Sequence, residues 1–349
     1  MAEESGNDAL MVFLESLGAT RDQIETARRE CSLARLPADL ILSKDATLSA
    51  EDVASQAQVS VDEVVGLWRT LGVTVPDQQH GMFSERDAGF TAVALRLEPM
   101  ETHADELFRV LGNSLARVAE AAVSLYVQTV EPTMDTPDPD FLRWVMSVAE
   151  TTSLALQLGD SMGAIFSHHL SDAIARQRAA QADFVDRSLF RLAVGFVDLV
   201  GFTPLSQRAD PAALLALIGE FEARAFDVAV AHNGRIVKHI GDEVMFVALD
   251  ANAGCSIAHE LTSVYAEGIE PRGGVAFGDV LTRHGDYYGS VVNLAARLAE
   301  LAIPREVLVD APTVAEGKGG PFEFEPAGHR LLKGFDQPVE VFSVEARSE

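Results

Sequence analysis

The amino-acid sequence predicts an all-α N-terminal domain followed by an α+β domain, with the boundary near residue 190. The first half carries helical periodicity without convincing strand alternation. From Leu192 onward, short apolar runs alternate with helical segments, which is typical of an α/β or α+β domain. The 349 residues are enough for about two domains of ordinary size.

Helical periodicity extends through the whole first domain, which is predicted to span residues 1–165. The stretch DALMVFLESL places four apolar residues on one helix face. Longer helices are predicted over about 101–130 and 139–183, separated by a loop rich in proline and acidic residues. Residues 166–190 are predicted to form a connecting helix, and residues 191–349 the second domain.

Residues 49–72 are predicted to form two short helices joined by a tight turn. Ser49 with Asp52, and Ser60 with Glu63, have the spacing of a capping box. The pair resembles a DNA-binding helix-turn-helix. Its second helix, VDEVVGLWRTL, carries one arginine and two acids, whereas a DNA reader presents basic and amide side chains there. DNA binding therefore stays the less favoured alternative to a structural helix pair.

Composition and charge narrow the classes of function. The net charge is −26 and acids outnumber bases in both halves, so no nucleic-acid partner is expected. No apolar run approaches the roughly 18 to 20 residues of a membrane span. The acidic N-terminus does not resemble a signal peptide, and we therefore expect a cytoplasmic protein without a transmembrane segment.

The second domain places an acid inside an apolar strand. In FVDLVGFT, Asp198 lies in a predicted buried strand, where an unpaired carboxylate costs on the order of several kcal/mol. The stretch at 234–247 predicts a β-hairpin that turns at Gly241 and Asp242. If these strands are neighbours, Asp198 and Asp242 converge, and a cation such as Mg²⁺ or Mn²⁺ would remove their repulsion. The alternative is an Asp198 bonded to backbone amides and an ordinary turn aspartate.

Three stretches in order, FVDLVGFT, KHIGDEVMF and GDYYGSVVNLAARL, resemble the signatures of the class III nucleotidyl cyclase catalytic domain. The resemblance covers about residues 191–347 and is closest to soluble bacterial, including actinobacterial, members with a helical N-terminal regulatory domain. It implies a ferredoxin-like core and a head-to-tail homodimer with active sites shared between chains. It also implies two divalent cations, Mg²⁺ or Mn²⁺, held by Asp198 and Asp242.

The resemblance assigns Lys238 and Asp286 to reading the purine. The lysine ammonium satisfies the N1 acceptor of adenine, and the aspartate accepts a hydrogen bond from the N6 amino group. Guanine offers the reverse pattern, which would leave buried polar groups unpaired at about 1–3 kcal/mol each. The implied substrate is therefore ATP.

Four more residues take their roles from the resemblance. Asn293 and Arg297, four residues apart on a predicted helix, would orient the ribose and stabilise charge at the α-phosphate. Arg272 and Lys333 match positions that bind the phosphates. In the implied dimer, Asp198, Asp242 and Arg272 come from one chain. The partner chain contributes Lys238, Asp286, Asn293, Arg297 and Lys333.

The function implied by the resemblance is that of an adenylate cyclase, which forms 3′,5′-cyclic AMP and pyrophosphate from ATP. The alternatives are a guanylate cyclase and a catalytically silent module that binds nucleotide and dimerises. The N-terminal half would regulate activity, with a proton or a fatty acid as possible regulators. His168 and His169 are candidates for a proton-sensitive hinge, or are simply solvated. The apolar helices could line a lipid pocket or form a core.

Overall fold

The computed structural model divides into two compact units, Met1–Ser167 and His168–Glu349. The residues that it describes are 2–100, 104–129, 141–180, 189–263 and 270–347. The first unit is built from helices and the second combines a sheet with helices. The predicted fold class, an all-α domain followed by an α+β domain, is confirmed.

Helices of the first unit pack around small buried clusters. They are α1 (Ala2–Ser16), α2 (Arg21–Arg29), α3 (Leu36–Ser43), α4 (Ala50–Ala57), α5 (Val61–Thr70), α6 (Glu85–Ala94), a 3₁₀ helix (Leu95–Met100), α7 (Ala104–Thr129) and α8 (Phe141–Ala180). Helix α8 begins in this unit, where Val145 packs with Leu14 and Ile24. It continues past Ser167 into the second unit.

The predicted helix pair within residues 49–72 is confirmed as α4 and α5. Ser49 Oγ accepts a hydrogen bond from the backbone N–H of Asp52 at 3.1 Å, and Ser60 Oγ accepts one from Glu63 at 3.2 Å. In turn, the side chains of Asp52 and Glu63 accept hydrogen bonds from the backbone N–H groups of Ser49 and Ser60, which completes two capping boxes. Val53 and Val64 are fully buried in one cluster, so the pair has a packing role.

Apolar residues within 120–127 of α7 and 153–166 of α8 are exposed. Leu125 is 63% exposed and Phe166 is 64% exposed. Among the described residues, no helix combines the length and the apolar character needed to cross a membrane.

The second unit contains an eight-stranded sheet within the described residues. Its strands are β1 (Leu189–Val200), β2 (Arg235–Ile240), β3 (Glu243–Ala248), β4 (Glu270–Arg283), β5 (Asp286–Tyr288), β6 (Val307–Asp310), β7 (Phe322–Arg330) and β8 (Val339–Ala346). Its further helices are α9 (Phe202–Ser206), α10 (Pro211–Ala231), α11 (Ala251–Ser263), α12 (Ser290–Leu301) and α13 (Ala311–Glu316).

The strand order is β2-β3-β1-β4-β6-β8-β7, with β5 paired to β4. The first four strands are antiparallel neighbours, and α10 and α11 connect them in the ferredoxin-like manner. Strands β4 and β6 are parallel, and α12 lies in the crossover that a parallel pair requires.

The two faces of the sheet carry separate cores. On one face α10 and α11 pack against side chains such as Val197 and Phe246. On the other face α12 packs against Phe196 and Met245. Because side chains alternate along a strand, Asp198 shares the α12 face with Phe196.

Helix α12 lies directly on β4 because of a glycine. A Cβ at Gly274 would lie 2.2 Å from the backbone nitrogen of Ala299 and 2.5 Å from the carbonyl oxygen of Ala295. Real Cβ atoms do not approach so closely, so any larger residue would push α12 off the sheet. This close approach fixes where the side chains of α12 lie over the sheet.

Candidate active site

Asp198 and Asp242 lie close enough at one end of the sheet for the charge of Asp198 to act on Asp242. The predicted hairpin is confirmed, with β2 and β3 joined by Gly241 and Asp242. Gly241 has φ +66°, a left-handed conformation that glycine adopts at little cost. Strands β1 and β3 are neighbours, and Asp198 lies opposite Glu243, next to the turn. The expected convergence of the two strands is therefore observed.

Arg272 forms an ion pair with Asp198. Its Nη2 and Nε donate to Asp198 Oδ2 at 2.9 and 3.1 Å. Its Nη1 donates to the carbonyl oxygens of Glu300 at 2.6 Å and Ala302 at 3.3 Å. Carbonyls at a helix C-terminus lack partners within the helix, so Arg272 also anchors the end of α12. Sequence reasoning predicted a phosphate ligand here and missed this anchoring contact.

Negative charge accumulates around this arginine. Asp198, Asp242 and Glu243 are termed the carboxylate cluster. Burial, together with the charge of Asp198, raises the pKa of Asp242 above its usual value. Burial and the charges of Asp198, Glu300 and Asp242 raise the pKa of Glu243 to about 7, with Arg272 opposing them. The cluster therefore holds its acids in an environment that disfavours their ionised forms.

Sequence reasoning missed Glu243 and Glu300. A signal for Glu243 was present, since a residue that directly follows a turn aspartate starts the returning strand. Glu300 lies one turn beyond Arg297 on α12, and its role depends on how that helix packs. Its carbonyl oxygen accepts from Arg272 and its carboxylate pairs with Arg297, so it connects two predicted site residues.

The donor chemistry of the carboxylate cluster fits a divalent cation. Carboxylate oxygens are the ligands that Mg²⁺ prefers, usually together with water and substrate phosphates. Both contacts from Arg272 go to Oδ2 of Asp198, so Oδ1 can face a cation. Within the described parts of the chain, no group of three or more His, Cys, Asp and Glu side chains is arranged to hold an ion by itself.

Lys238 and Asp286, the predicted purine readers, are in direct contact. Lys238 Nζ donates to Asp286 Oδ2, and the backbone N–H of Tyr287 donates to Asp286 Oδ1 at 2.8 Å. Both side chains are partly exposed, at 39% and 26%, so a ligand can reach them. The structure therefore assembles a donor and an acceptor side by side, 48 residues apart in the sequence.

A β-bulge in β2 determines on which face of the sheet the side chain of Lys238 lies. Ile236 lies opposite Phe246, but Lys238 lies opposite Met245, which leaves one extra residue on β2. In a regular strand, Lys238 would share a face with Ile236 and point toward the core under α10 and α11. The bulge turns it to the face of Met245, where α12 packs. A sequence pattern alone does not reveal such a shift.

The remaining predicted residues lie on α12 and on the β7–β8 connection. Asn293 and Arg297 share α12, as predicted; Asn293 is exposed and Arg297 pairs with Glu300 at 2.5 Å. Lys333 lies in a turn and is exposed, and among the described residues it contacts none of the other predicted site residues. The structure thus joins Asp198 with Arg272 and Lys238 with Asp286, and leaves Lys333 apart.

Comparisons with known proteins identify relatives of this chain. Residues 187–346 match the family model described as the adenylate and guanylate cyclase catalytic domain. An uncharacterised protein of Mycobacterium tuberculosis is 33% identical over 351 residues, covering 96% of this chain and 89% of that protein. An adenylate cyclase of Streptomyces coelicolor is 33% identical over 289 residues, covering 79% and 73%. The crystal structure of the adenylyl cyclase CyaB from P. aeruginosa is 25% identical, covering 46% and 96%, with a TM-score of 0.42.

The chain belongs to the class III nucleotidyl cyclases, in the actinobacterial group with a helical N-terminal half. It is an enzyme of the adenylate cyclase class, a phosphorus–oxygen lyase. The cyclase domain family binds ATP or GTP, forms dimers and generally uses divalent metals.

Proposed function

We propose that this protein converts ATP into 3′,5′-cyclic AMP and pyrophosphate. The observation that carries the proposal is the Lys238–Asp286 contact on the α12 face. The adenylate cyclases of Streptomyces and Glutamicibacter among its relatives, at 32–33% identity, support the same reaction. A guanylate cyclase is the alternative within the family.

Adenine fits between these two side chains by hydrogen bonding. Its N1 accepts from the Lys238 ammonium, and its N6 amino group donates to the Asp286 carboxylate. Guanine presents a protonated N1 and an O6 acceptor, so neither group would find a partner. Each buried mismatch costs about 1–3 kcal/mol, which discriminates between the bases by roughly one to two orders of magnitude.

The reaction is an intramolecular displacement at phosphorus. The ribose 3′-oxygen forms a bond to the α-phosphorus, the bond to the bridging oxygen breaks, and pyrophosphate leaves in line while the hydroxyl proton passes to water. Asn293 orients the ribose, and Arg297 faces the charge that develops on the α-phosphate. Divalent cations held by Asp198 and Asp242 would, when bound, lower the pKa of the 3′-hydroxyl and offset the triphosphate charge.

Each active site is proposed to form between two chains in a head-to-tail homodimer. Lys238 and Asp242 are four residues apart on one extended hairpin arm, a separation of about 13 Å along the strand. The carboxylate cluster of one chain would serve the purine readers of its partner, together with that partner's α12. Two equivalent sites result from the symmetry of the dimer.

The helical unit is proposed to regulate the catalytic unit through α8. Similarity to the mycobacterial relative covers both units. Helix α8 is continuous across the boundary between Ser167 and His168. A proton could act at His168 and His169, which are exposed on this helix, and a fatty acid could act at the exposed apolar stretches of α7 and α8. Replacing both histidines by asparagine would flatten the pH–activity profile if they act, and an unchanged profile would remove them.

The proposed reaction is tested by supplying ATP and GTP separately, each with Mg²⁺ or Mn²⁺, to the full chain. Cyclic AMP and pyrophosphate should form in equal amounts, with kcat/KM for ATP about 10²-fold above that for GTP. Asp242→Asn serves as the inactive control. Cyclic GMP as the main product would favour the guanylate cyclase, and no cyclic product would leave a nucleotide-binding module.

A further inference from the structure

Asp286 lies at the start of the short strand β5, directly after a tight turn. The turn residues His284 and Gly285 have φ +57° and +75°, and positive φ at both central residues is typical of a type I′ hairpin turn. Strand β5 has only three residues. The segment 285–287 also borders a cavity of about 400 Å³. Atoms that face a cavity lack packing partners there, so contacts from neighbouring strands add to the pairing with β4 in holding this hairpin.

Arg235 supplies contacts to both neighbours of Asp286. Its Nη2 donates to the carbonyl oxygen of Gly285 at 3.1 Å. Its guanidinium carbon lies 5.5 Å from the centroid of the Tyr287 ring. A planar guanidinium can stack on a ring and donate at its edge at the same time, which an ammonium does less well.

The contacts of Arg235 connect the two strands that carry the purine readers. Arg235 is the first residue of β2, three residues before Lys238 on that strand. Asp286 belongs to the hairpin that Arg235 contacts. A base must replace the direct Lys238–Asp286 contact and bridge both groups, so the separation of the two strands decides which base can do so.

We infer that Arg235 is a positioning residue for base recognition: it holds the β4–β5 hairpin against β2 and so fixes the spacing between Lys238 and Asp286. This inference rests on the proposed function. Arg235 acts through the hairpin and not through the base. Its loss should therefore weaken nucleotide binding and base selectivity more than turnover.

The chain offers a matched control for this arginine. Arg191 on β1 is exposed, and its guanidinium carbon lies 5.4 Å from the centroid of the Phe277 ring. Phe277 lies in the core under α10 and α11, at a part of β4 that precedes the residues paired with β5. Arg191→Ala removes the same kind of arginine–ring contact without touching the residues beside Asp286.

The experiment compares Arg235→Ala, Arg235→Lys and Arg191→Ala in the full-length protein. Arg235→Ala should raise KM for ATP about threefold to tenfold, the effect of one hydrogen bond, with kcat within about twofold. The ratio of kcat/KM for ATP over GTP should fall by a similar factor. Arg235→Lys should recover part of both losses, and Arg191→Ala should match the wild type. Wild-type KM and selectivity in Arg235→Ala would overturn the inference, as would a loss of kcat alone with selectivity unchanged.

Calorimetric binding of 3′-deoxy-ATP and 3′-deoxy-GTP, which lack the attacking hydroxyl, separates this inference from the proposed reaction. A wild-type protein without cyclic product refutes the reaction, while its preference for the adenine analogue can still be measured. Arg235→Ala should bind 3′-deoxy-ATP about threefold to tenfold more weakly and prefer it less. An unchanged preference in Arg235→Ala would refute the positioning role.

Discussion

At the carboxylate cluster three acids surround Arg272, whereas at the other end of the α12 face one lysine neutralises one aspartate. The first end concentrates negative charge, and burial together with that charge raises the pKa values of Asp242 and Glu243. The second end holds a contact between Lys238 and Asp286 that is balanced in charge. One end thus carries more acids than its single arginine balances, and the other is balanced within one pair.

This difference separates the two tasks of the site. Carboxylates in excess of the one arginine repel each other when ionised, so cation binding gains from relieving that repulsion. A base that enters breaks the contact between the lysine and the aspartate. Only a base that forms a hydrogen bond with each of the two groups compensates for this loss. The first end therefore provides charge for the reaction, and the second provides selectivity.

The largest effect is expected from Asp242→Asn. The change keeps the shape of the side chain but removes a negative charge from the carboxylate cluster, so cyclase activity should fall about 10³-fold, in line with the several kcal/mol that a metal supplies. Activity is measured as cyclic AMP formed with saturating Mn²⁺. Circular dichroism of the variant should match the wild type, and activity within tenfold of the wild type would contradict a metal role for this end.

The next effect is expected at the selectivity end. Lys238→Ala and Asp286→Ala should each lower the ATP-over-GTP ratio of kcat/KM by about 10- to 100-fold, because each removes one hydrogen bond to adenine. The double variant should lose little more than either single variant, since the two groups act together. Independent, additive losses would show that the contact between them has no part in recognition.

A smaller effect is expected at Arg272. Arg272→Gln should lower the free energy of unfolding of the metal-free protein by about 1–2 kcal/mol, because partly buried Asp198 loses its partner. Urea titration with and without Mg²⁺ measures this, and Mg²⁺ should recover part of the loss. A phosphate ligand without a structural role would instead raise KM for ATP and leave the urea midpoint unchanged.

The smallest effect is expected at Glu243 and depends on pH. Its folded-state pKa of about 7 exceeds the ordinary 4.5, so its contribution is fully present below pH 4.5 and is lost as pH rises through 7. Glu243→Gln should therefore stabilise the metal-free protein at pH 8 by about 1 kcal/mol, after allowance for solvent screening, and progressively less toward pH 5. An equal gain at both pH values would contradict the charge argument.

The sequence allowed the hairpin at Gly241–Asp242, the helix that carries Asn293 and Arg297, and the capping boxes to be predicted. Each depends on residues close in sequence, where turn chemistry and helical spacing act directly. The sequence also indicated that a buried strand with one acid needs a positive partner, although not that Arg272 supplies it.

Other parts of the site depend on packing that no local pattern records. The bulge before Lys238 depends on how β2 pairs with β3, and the approach of α12 depends on Gly274 lying under Ala299. The contact of Arg272 with the end of α12 follows from that approach. Arg272 was therefore predicted only as a phosphate ligand.

The most direct test mixes two chains that are each defective at one end and assays them at ATP concentrations well below KM. Asp242→Asn has a defective cation end, and Lys238→Ala has a defective purine-reading end. If each site combines the cation end of one chain with the purine-reading end of its partner, a mixed dimer has one intact site. An equal mixture, exchanged through mild denaturant and refolded, should then show about a quarter of wild-type activity, since half of the dimers are mixed. Activity no greater than that of the two variants assayed separately would contradict the shared site.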